Sequence, residues 1–205
     1  MQADPDLHLL DAWRAGDLDA GERLFLRHFP GVARFFRNKV DGDIEDLVQR
    51  TFLACLEAEP RFTGAGTFRG FLFGIARNVL FNSYRDLQRA RGVVDLDDIS
   101  LHDLTATPSA VAARGEEERL LLAALRRLPL QHQIVLELAY WEDLTHVEIA
   151  DALGIPVGTA STRLRRAKQL LRDHLAALPA APALRDSLLG GLDTWATALK
   201  AHLTP

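Results

Sequence analysis

Apolar residues recur at spacings of three and four along nearly all of this 205-residue chain. The sequence has no sustained alternation of apolar and polar residues rich in Val, Ile and Thr, the pattern expected of half-buried strands. This periodicity predicts an all-α protein. A chain of this length suffices for one ordinary domain or two small ones, and we expect two small helical domains, a linker and a helical extension.

Helix start and stop signals divide the first 91 residues. Pro5 suits the first turn of a helix that starts after Asp4. We expect the second helix to break or bend at Phe29–Pro30–Gly31, and we expect a loop at Arg61–Gly66 before the fourth helix. The predicted second, third and fourth helices cover Leu18–Val40, Ile44–Ala58 and Thr67 to about Arg91.

Charge and composition change between Val93 and Glu118. This segment has seven acidic residues and one basic residue, Arg114, and therefore a net charge of −6. The formal net charge of the whole chain is −4. Together with Pro108 and weak apolar periodicity, this predicts an acidic linker. We therefore place one domain at residues 1–91, the linker at 92–115, a second domain at 116–178 and an amphipathic C-terminal extension at 179–205.

Local signals in the second domain predict a helix-turn-helix. Thr145 and Glu148 form a capping-box pattern that starts a helix, and Gly154 stands where a left-handed turn residue would end it. Pro156 marks the start of a second helix. The second helix has a predicted buried stripe of Val157, Ala160, Leu164, Ala167 and Leu171.

The opposite arc of that second helix is polar and basic. Small residues near the start of such a helix allow close approach to DNA, and arginines offer paired donors to guanine or to phosphate. A solvated basic helix is the alternative explanation of the same charge run. The candidate DNA-binding residues are Thr159, Ser161, Thr162, Arg163, Arg165 and Arg166.

The helix after Thr67 carries a second candidate surface. Arginines and amides alternate there with an aromatic residue that we expect to be exposed, Phe81, and such a face suits unpaired bases and their phosphates. A solvated or partner-binding face is left open as the alternative. The residues of this face are Arg77, Asn78, Phe81, Asn82 and Arg85.

Two long segments resemble the conserved modules of bacterial RNA polymerase sigma factors of the extracytoplasmic-function (ECF) group. "LRRLPLQHQIVLELAYWEDLTHVEIADALGIPVGTASTRLRRAKQLL" is similar to their C-terminal promoter-reading domain, and "DIEDLVQRTFLACLEAEPRFTGAGTFRGFLFGIARNVLFNSYRD" is similar to their other module. The resemblance implies a factor that binds core polymerase, recognises promoter DNA and promotes its melting. A factor of this kind is not itself an enzyme, so we expect no catalytic site in this chain.

The resemblance also implies roles for particular residues. The arc from Thr159 to Arg166 would read the minus-35 element, and the polymerase β-prime clamp helices and β flap would be the protein partners. Whether an anti-sigma factor also binds is left open. The implied minus-10 residues are Arg61, Phe62, Thr63, Gly64, Arg77, Asn78, Phe81, Asn82 and Arg85, and the implied clamp-helix residues are Asp46, Gln49 and Arg50, the last where the family usually has an acidic residue.

Other chemistry finds no support in the sequence. The seven histidines are scattered, and no nucleotide-binding or hydrolase motif is present, so we expect no metal and no cofactor. A single cysteine, Cys55, makes an intramolecular disulfide impossible. No apolar run is long enough to span a bilayer, and we expect a cytoplasmic protein.

Two other function classes remain as alternatives. A stand-alone helix-turn-helix regulator would bind DNA without polymerase, and a helical sequestering protein would not need the basic arc at all. The extension beyond residue 179 has an amphipathic stripe from Leu184 to Leu203. It either docks on the protein's own domains or regulates the factor.

Overall fold

The computed structural model describes residues 6–40, 44–64, 66–89, 115–179, 182–191 and 194. This part of the chain is helical and contains no strand, so the all-α prediction is confirmed. A 3₁₀ turn at Glu59–Arg61 follows the third helix. The α-helices are α1 Leu7–Arg14, α2 Leu18–Arg37, α3 Glu45–Ala58, α4 Phe68–Arg89, α5 Glu116–Arg126, α6 Leu130–Tyr140, α7 His146–Leu153, α8 Val157–Ala177 and α9 Pro182–Gly190.

Helices α1–α4 form the N-terminal domain. α1 packs on α2 and α3 packs on α4, around a core that includes Leu24, Phe36, Leu72 and Leu80. Asp17 caps α2 by accepting a hydrogen bond of 3.1 Å from the Ala20 amide. The apolar faces predicted for these helices therefore meet in one core.

Asp6 fastens the start of α1 to α2. Its carboxylate is buried and pairs with His28 Nε2 at 2.7 Å and with Arg27 Nη1 at 2.6 Å. Burial alone would raise the pKa of Asp6, but the hydrogen bonds and charges of His28 and Arg27 outweigh it and hold the pKa below its ordinary value of 3.8. The helix begins at Leu7 rather than directly after Asp4.

The break or bend predicted at Phe29–Pro30–Gly31 does not end the helix. α2 runs without interruption from Leu18 to Arg37 with Pro30 inside it. A proline removes one hydrogen bond, to the carbonyl four residues earlier. That residue is Leu26, which is exposed, so water can hydrate the freed carbonyl while packing on both sides of Pro30 holds the helix together.

Helices α5–α8 form the C-terminal domain, with a core that includes Leu122, Leu128, Ile134 and Leu164. α9 lies against α8 and α5 and buries Leu188. The predicted linker falls almost entirely outside the described residues, as do Leu192, Trp195, Leu199 and Leu203 of the predicted amphipathic stripe. The two domains are in contact, because α4 of the first lies along α7 of the second.

Candidate nucleic-acid interface

The helix-turn-helix is α7, a glycine turn and α8. The Thr145 hydroxyl accepts a hydrogen bond of 3.3 Å from the Glu148 amide, and Glu148 Oε2 accepts one of 2.7 Å from the Thr145 amide. Gly154 ends α7 with φ 64° and ψ 37°, a left-handed conformation that suits glycine. Pro156 caps α8. The capping box, the turn glycine and the second helix start all stand where the sequence placed them.

The buried side of α8 follows the predicted stripe with one exception. Ala160, Leu164, Ala167 and Leu171 are buried in the C-terminal core. Val157 is exposed, because it lies in the first turn of α8, beyond the edge of the core. The stripe therefore fixes which side of α8 faces outward.

The outward side of α8 carries the candidate DNA-binding residues. Thr159, Thr162, Arg165 and Arg166 are exposed, and Ser161 and Arg163 flank them at intermediate burial. A surface groove of about 450 Å³ runs over this side. It is lined by His132, Gly158, Thr159, Thr162, Arg163 and Arg166. The arrangement can bind a polyanion, because Thr159 lies in the first turn at the positive end of α8 and the exposed guanidinium groups of Arg165 and Arg166 follow along the same side.

The candidate face of α4 is present, but its aromatic residue is not exposed. Phe81 is only 4% exposed, and the Arg77 guanidinium lies 4.5 Å from the centre of its ring. Asn78, Asn82 and Arg85 are exposed beside this pair. The prediction of an exposed Phe81 is therefore wrong: the ring packs into the domain core and supports Arg77 from beneath by a cation–π contact.

The segment before α4 builds a small aromatic cleft. Phe62 is buried, and its ring centre lies 4.9 Å from that of Phe71. Arg14 Nη2 donates a hydrogen bond of 2.7 Å to the Phe62 carbonyl and fixes the segment. Thr63 and Gly64 are exposed, with Gly64 at φ 75°, and the backbone of Arg61 ends the 3₁₀ turn. The Phe62 and Phe71 rings and the loop residues beside them line one side of a surface cleft.

This cleft is shared between the two domains. It has a volume of about 230 Å³, and Glu148 and Asp151 of α7 form one of its walls. The other wall comes from the segment before α4 and the first turn of α4. These residues are Phe62, Thr63, Gly66, Thr67, Gly70 and Phe71.

The predicted polymerase-binding residues lie on the outer side of α3. Asp46 and Arg50 are exposed and form an ion pair, with Arg50 Nη2 at 2.9 Å from Asp46 Oδ2. The arginine that departs from the family pattern is thus neutralised within its own helix. Gln49 is exposed one residue before Arg50 and faces a groove between α2 and α3.

That groove is apolar and was not recognised in the sequence. It has a volume of about 740 Å³, and Leu26 and Leu53 on its walls are 63% and 50% exposed. Phe29 and Leu56 are also exposed there. The signal was available, because α3 carries more apolar positions than a single buried stripe needs, and an exposed apolar patch of this kind marks an interaction surface.

The described residues hold little that could support other chemistry. Among them no cluster of three or more His, Cys, Asp or Glu side chains could hold a metal ion. Burial raises the pKa of the Cys55 thiol to about 12, with a contribution from Glu59, so this cysteine is unreactive near neutral pH. In the same part of the chain, every helix is too short or too polar to cross a membrane.

Comparison with known proteins identifies both domains. The sigma-70 region 2 family matches residues 24–90, and the sigma-70 region 4 family matches residues 118–171. RNA polymerase sigma factor CarQ of Myxococcus xanthus is 32% identical over 174 residues, which cover 82% of this chain and 97% of the relative. ECF RNA polymerase sigma factor SigL of Mycobacterium tuberculosis is 37% identical over 131 residues, with coverage of 62% and 72%.

Two solved structures share the architecture. The structure of CnrH in complex with the cytosolic domain of CnrY aligns with a TM-score of 0.62 at 25% identity, covering 85% of this chain and 99% of that one. The sigma factor RpoE in complex with the anti-sigma factor NepR from Bartonella quintana aligns with a TM-score of 0.56 at 21% identity, covering 80% and 99%. The second likeness concerns the fold alone.

Proposed function

We propose which surfaces of this chain bind the promoter elements and core polymerase. The proposal starts from its family, because the chain belongs to the ECF group of the sigma-70 family of RNA polymerase sigma factors. We assign the minus-35 element to α8, the minus-10 element to α4 and the segment before it, and core polymerase to the α2–α3 groove. The observation that carries the assignment is the helix-turn-helix whose outward arc holds exposed arginines.

For the minus-35 element, α8 enters the major groove with its first turns. Gly158 has open space around it, and Thr159 and Thr162 are exposed and small, so the helix can approach base edges closely. Arg165 and Arg166 then reach guanine or phosphate oxygens. Ser161 and Arg163 flank this arc and contact the sugar-phosphate backbone of the DNA on either side of the major groove.

For the minus-10 element, the α4 face holds the strand and the aromatic cleft takes a flipped base. Arg77, Asn78, Asn82 and Arg85 supply donors along the helix, and Arg77 is held in place by the ring of Phe81. Flipping a base costs a few kcal/mol, so strand opening needs a compensating contact. A base stacked beside Phe62 supplies that contact, and melting follows from capture of the open strand.

For core polymerase, the groove between α2 and α3 is the docking surface, and the β-prime clamp helices are its occupant. Leu26, Phe29, Leu53 and Leu56 are exposed apolar side chains, which a helical partner would bury. Asp46, Gln49 and Arg50 flank them on α3. The polar residues set the register of the contact and the apolar ones supply its affinity.

Further partners follow from the relatives. We propose that the C-terminal domain contacts the β flap and that an anti-sigma factor controls this protein, as complexes with such factors are known for a related fold. The protein binds DNA and polymerase and does no chemistry of its own, and we place it in the cytoplasm, where transcription occurs.

The decisive experiment is promoter-specific run-off transcription by core polymerase with and without this protein. We expect a discrete transcript only when both are present. The competing assignment, a stand-alone helix-turn-helix regulator, predicts tight operator binding by the protein alone and no gain of initiation. That result would refute the assignment.

Matched variants separate base reading from charge. The variants are Arg165→Ala and Arg166→Ala. Loss of an arginine that reads a base costs about 1 to 3 kcal/mol of DNA-binding free energy and relaxes sequence specificity. Loss of an arginine that contacts phosphate weakens binding to all sequences and lowers the slope of log affinity against log salt by roughly 1. Arg119→Ala is the control, because Arg119 is exposed on α5, outside the helix-turn-helix. Equal effects from all three would mean that only net charge matters.

A further inference from the structure

The last residue of α1, Arg14, bonds to the backbone on both sides of the 3₁₀ turn that follows α3. Its Nη2 donates hydrogen bonds of 3.1 Å to the Glu59 carbonyl and of 2.7 Å to the Phe62 carbonyl. Its Nε also pairs with the Glu59 carboxylate. One guanidinium group therefore ties α1 to the first residue of the turn and to the residue directly after it.

The end of this helical stretch is a place where a guanidinium group fits. α3 ends at Ala58, and the 3₁₀ turn ends at Arg61. The last carbonyls of a helical stretch lack N–H partners within it and carry the negative end of its dipole. A guanidinium is always charged and offers its donors in a rigid planar fork, whereas a lysine ammonium is a compact charge on a flexible stem. Arg14 therefore supplies both the charge and the geometry that these carbonyls require.

Helix α1 is itself a fixed support for this contact. Asp6 anchors its start to α2 through two ion pairs. Near its end, Trp13 packs so closely on α2 that a Cβ atom at Gly21 would stand 2.7 Å from the Trp13 Cδ1. The Trp13 ring centre also lies 5.3 Å from that of Phe25. Because α1 is held at both ends, Arg14 approaches the turn from a defined position.

The backbone that Arg14 holds leads directly into the proposed minus-10 cleft. The ring of Phe62 lines this cleft beside Phe71, and the carbonyl of the same residue accepts the 2.7 Å hydrogen bond from Arg14. Thr63 and Gly64, which follow, are exposed. The bond to the Phe62 carbonyl therefore sets both where the ring lies and in which direction the exposed loop leaves the turn.

We infer that Arg14 is a positioning residue for minus-10 recognition: by bridging the carbonyls of Glu59 and Phe62, it holds the aromatic cleft in the geometry that receives an unpaired base. Arg14 acts through the backbone and does not itself contact the base. It precedes residues 24–90, which match the sigma-70 region 2 family. The inference rests on the proposed function, because this geometry matters for DNA only if the cleft takes a base.

Three substitutions separate the bridge from the charge. Arg14→Lys keeps the positive charge beside the Glu59 carboxylate but lacks the planar fork that holds both carbonyls. Glu59→Gln removes the carboxylate charge and leaves both carbonyls to Arg14. Arg23→Lys is the matched control, because Arg23 forms an exposed ion pair with Asp17 at 3.6 Å, in which the two side chains are 60% and 46% exposed.

The measurement is binding of single-stranded oligonucleotides by core polymerase that carries this protein or a variant. The oligonucleotides have the non-template sequence of a promoter that supports run-off transcription, and each lacks the base at one position. For the wild type, we expect one position at which removal of the base weakens binding by about tenfold or more, since that is the contribution of one stacked base. Arg14→Lys should lose most of this penalty at that position, whereas Glu59→Gln and Arg23→Lys should keep it.

The possible failures of this experiment can be told apart. If Arg14→Lys kept the full penalty, the inference would be wrong. It would also be wrong if Arg14→Lys weakened binding equally at every position and lowered the urea unfolding midpoint, because Arg14 would then only stabilise the domain. An equal loss in Glu59→Gln would assign the effect to the ion pair and overturn the bridge. A wild-type protein with no sensitive position would instead refute the proposed minus-10 cleft itself.

Discussion

The Lys39–Glu137 pair gives the sharpest test of how the two domains hold together. Replacing one partner by an apolar residue of similar size, as in Lys39→Met or Glu137→Leu, leaves the other charge buried. Breaking a buried pair in this way costs about 3 to 5 kcal/mol. A typical domain is stable by about 5 to 15 kcal/mol, so each single variant should lose a large share of the stability.

The double variant Lys39→Met/Glu137→Leu should recover most of that loss. Removing both charges avoids the desolvation cost, and such replacements are neutral or stabilise by about 1 to 4 kcal/mol. Two hydrogen bonds are lost in exchange. Gln133 Nε2 donates to Glu137 Oε1 at 2.7 Å, and Lys39 Nζ donates to the Phe35 carbonyl at 2.7 Å. At about 1 to 3 kcal/mol for each buried group left without a partner, the two effects roughly cancel.

Urea unfolding followed by far-ultraviolet circular dichroism measures these changes. With a slope of about 2 to 3 kcal/mol per molar urea, each single variant should shift the midpoint down by about 1 to 2 M. The control is Arg50→Met, which breaks the exposed Arg50–Asp46 pair and should cost less than about 1 kcal/mol.

Two results would refute the reasoning about this pair. In the first, the losses of unfolding free energy in Lys39→Met and Glu137→Leu add up in the double variant. In the second, Lys39→Met loses no more unfolding free energy than Arg50→Met. Either would mean that water reaches Lys39 and Glu137 in solution. If the orphan charge is instead relieved by separation of the domains, the cost falls to the free energy with which the two domains dock.

Two further predictions concern single side chains. Thr145→Ala removes the hydroxyl that caps α7 and should destabilise the C-terminal domain by about 1 kcal/mol, measured by thermal unfolding, and Thr145→Ser should restore the cap. Asp6→Asn should destabilise the protein at neutral pH, because the wild-type carboxylate is stabilised by His28 and Arg27 and its folded pKa lies below 3.8. The wild-type advantage is present above the pKa of Asp6 in the unfolded chain and is lost as the pH falls through its lowered pKa in the folded protein. If the difference in urea midpoint between the wild type and Asp6→Asn persisted unchanged into strong acid, the ion pairs of Asp6 would not be its cause.

The helix-turn-helix could be predicted from the sequence because its signals are local. Thr145, Glu148, Gly154 and Pro156 each fix the backbone within a few residues of themselves, and the stripe on α8 faces a single core. The apolar period therefore identified the outward arc directly. Val157 was misplaced only because it lies at the edge of that core.

The face of α4 was harder to predict because the helix is packed on more than one side. Apolar residues spread around it, and a period of 3.6 does not tell which of them are exposed when two surfaces are buried. Phe81 was placed outside for that reason. Gly70 and Gly74 stand at the helical spacing of the same face, yet Gly70 is buried and both approach α7 closely.

The contacts between the domains could not be predicted from the sequence at all. Lys39 is separated from Glu137 by 98 positions and Arg34 from Glu142 by 108, and no local pattern pairs residues so far apart. Each is an ordinary charged residue in its own segment. Burial is what makes these residues decisive, and burial follows from how two complete domains meet.

The contact between α4 and α7 also predicts that the two surfaces proposed to bind DNA respond differently when that contact is locked. Arg165 and Arg166 are exposed on α8, whereas Glu148 and Asp151 form one wall of the cleft that we propose for the minus-10 element. A Cβ at position 66 would lie 3.9 Å from the Asp151 Cβ, so the variant Gly66→Cys/Asp151→Cys can form a disulfide that locks α7 on the segment before α4. We expect the oxidised variant to bind a minus-35 duplex as well as its reduced form does. Binding of a single-stranded minus-10 oligonucleotide should fall by about tenfold or more on oxidation, since one stacked base contributes about 1 to 3 kcal/mol.

Fluorescence anisotropy without polymerase measures both DNA affinities. Repeating it over a series of salt concentrations distinguishes a loss of phosphate contacts from exclusion of a base as the cause of weaker binding. Loss of phosphate contacts alone would alter the salt slope by about 0.7 for each contact on a single strand, whereas exclusion of the base from the cleft lowers affinity at every salt concentration. Equal weakening of duplex and single strand on oxidation would mean that the disulfide distorts α8 as well. Because Asp151 lies on α7 and the turn at Gly154 separates it from the outward arc of α8, we expect α8 to keep its position and the two affinities to diverge.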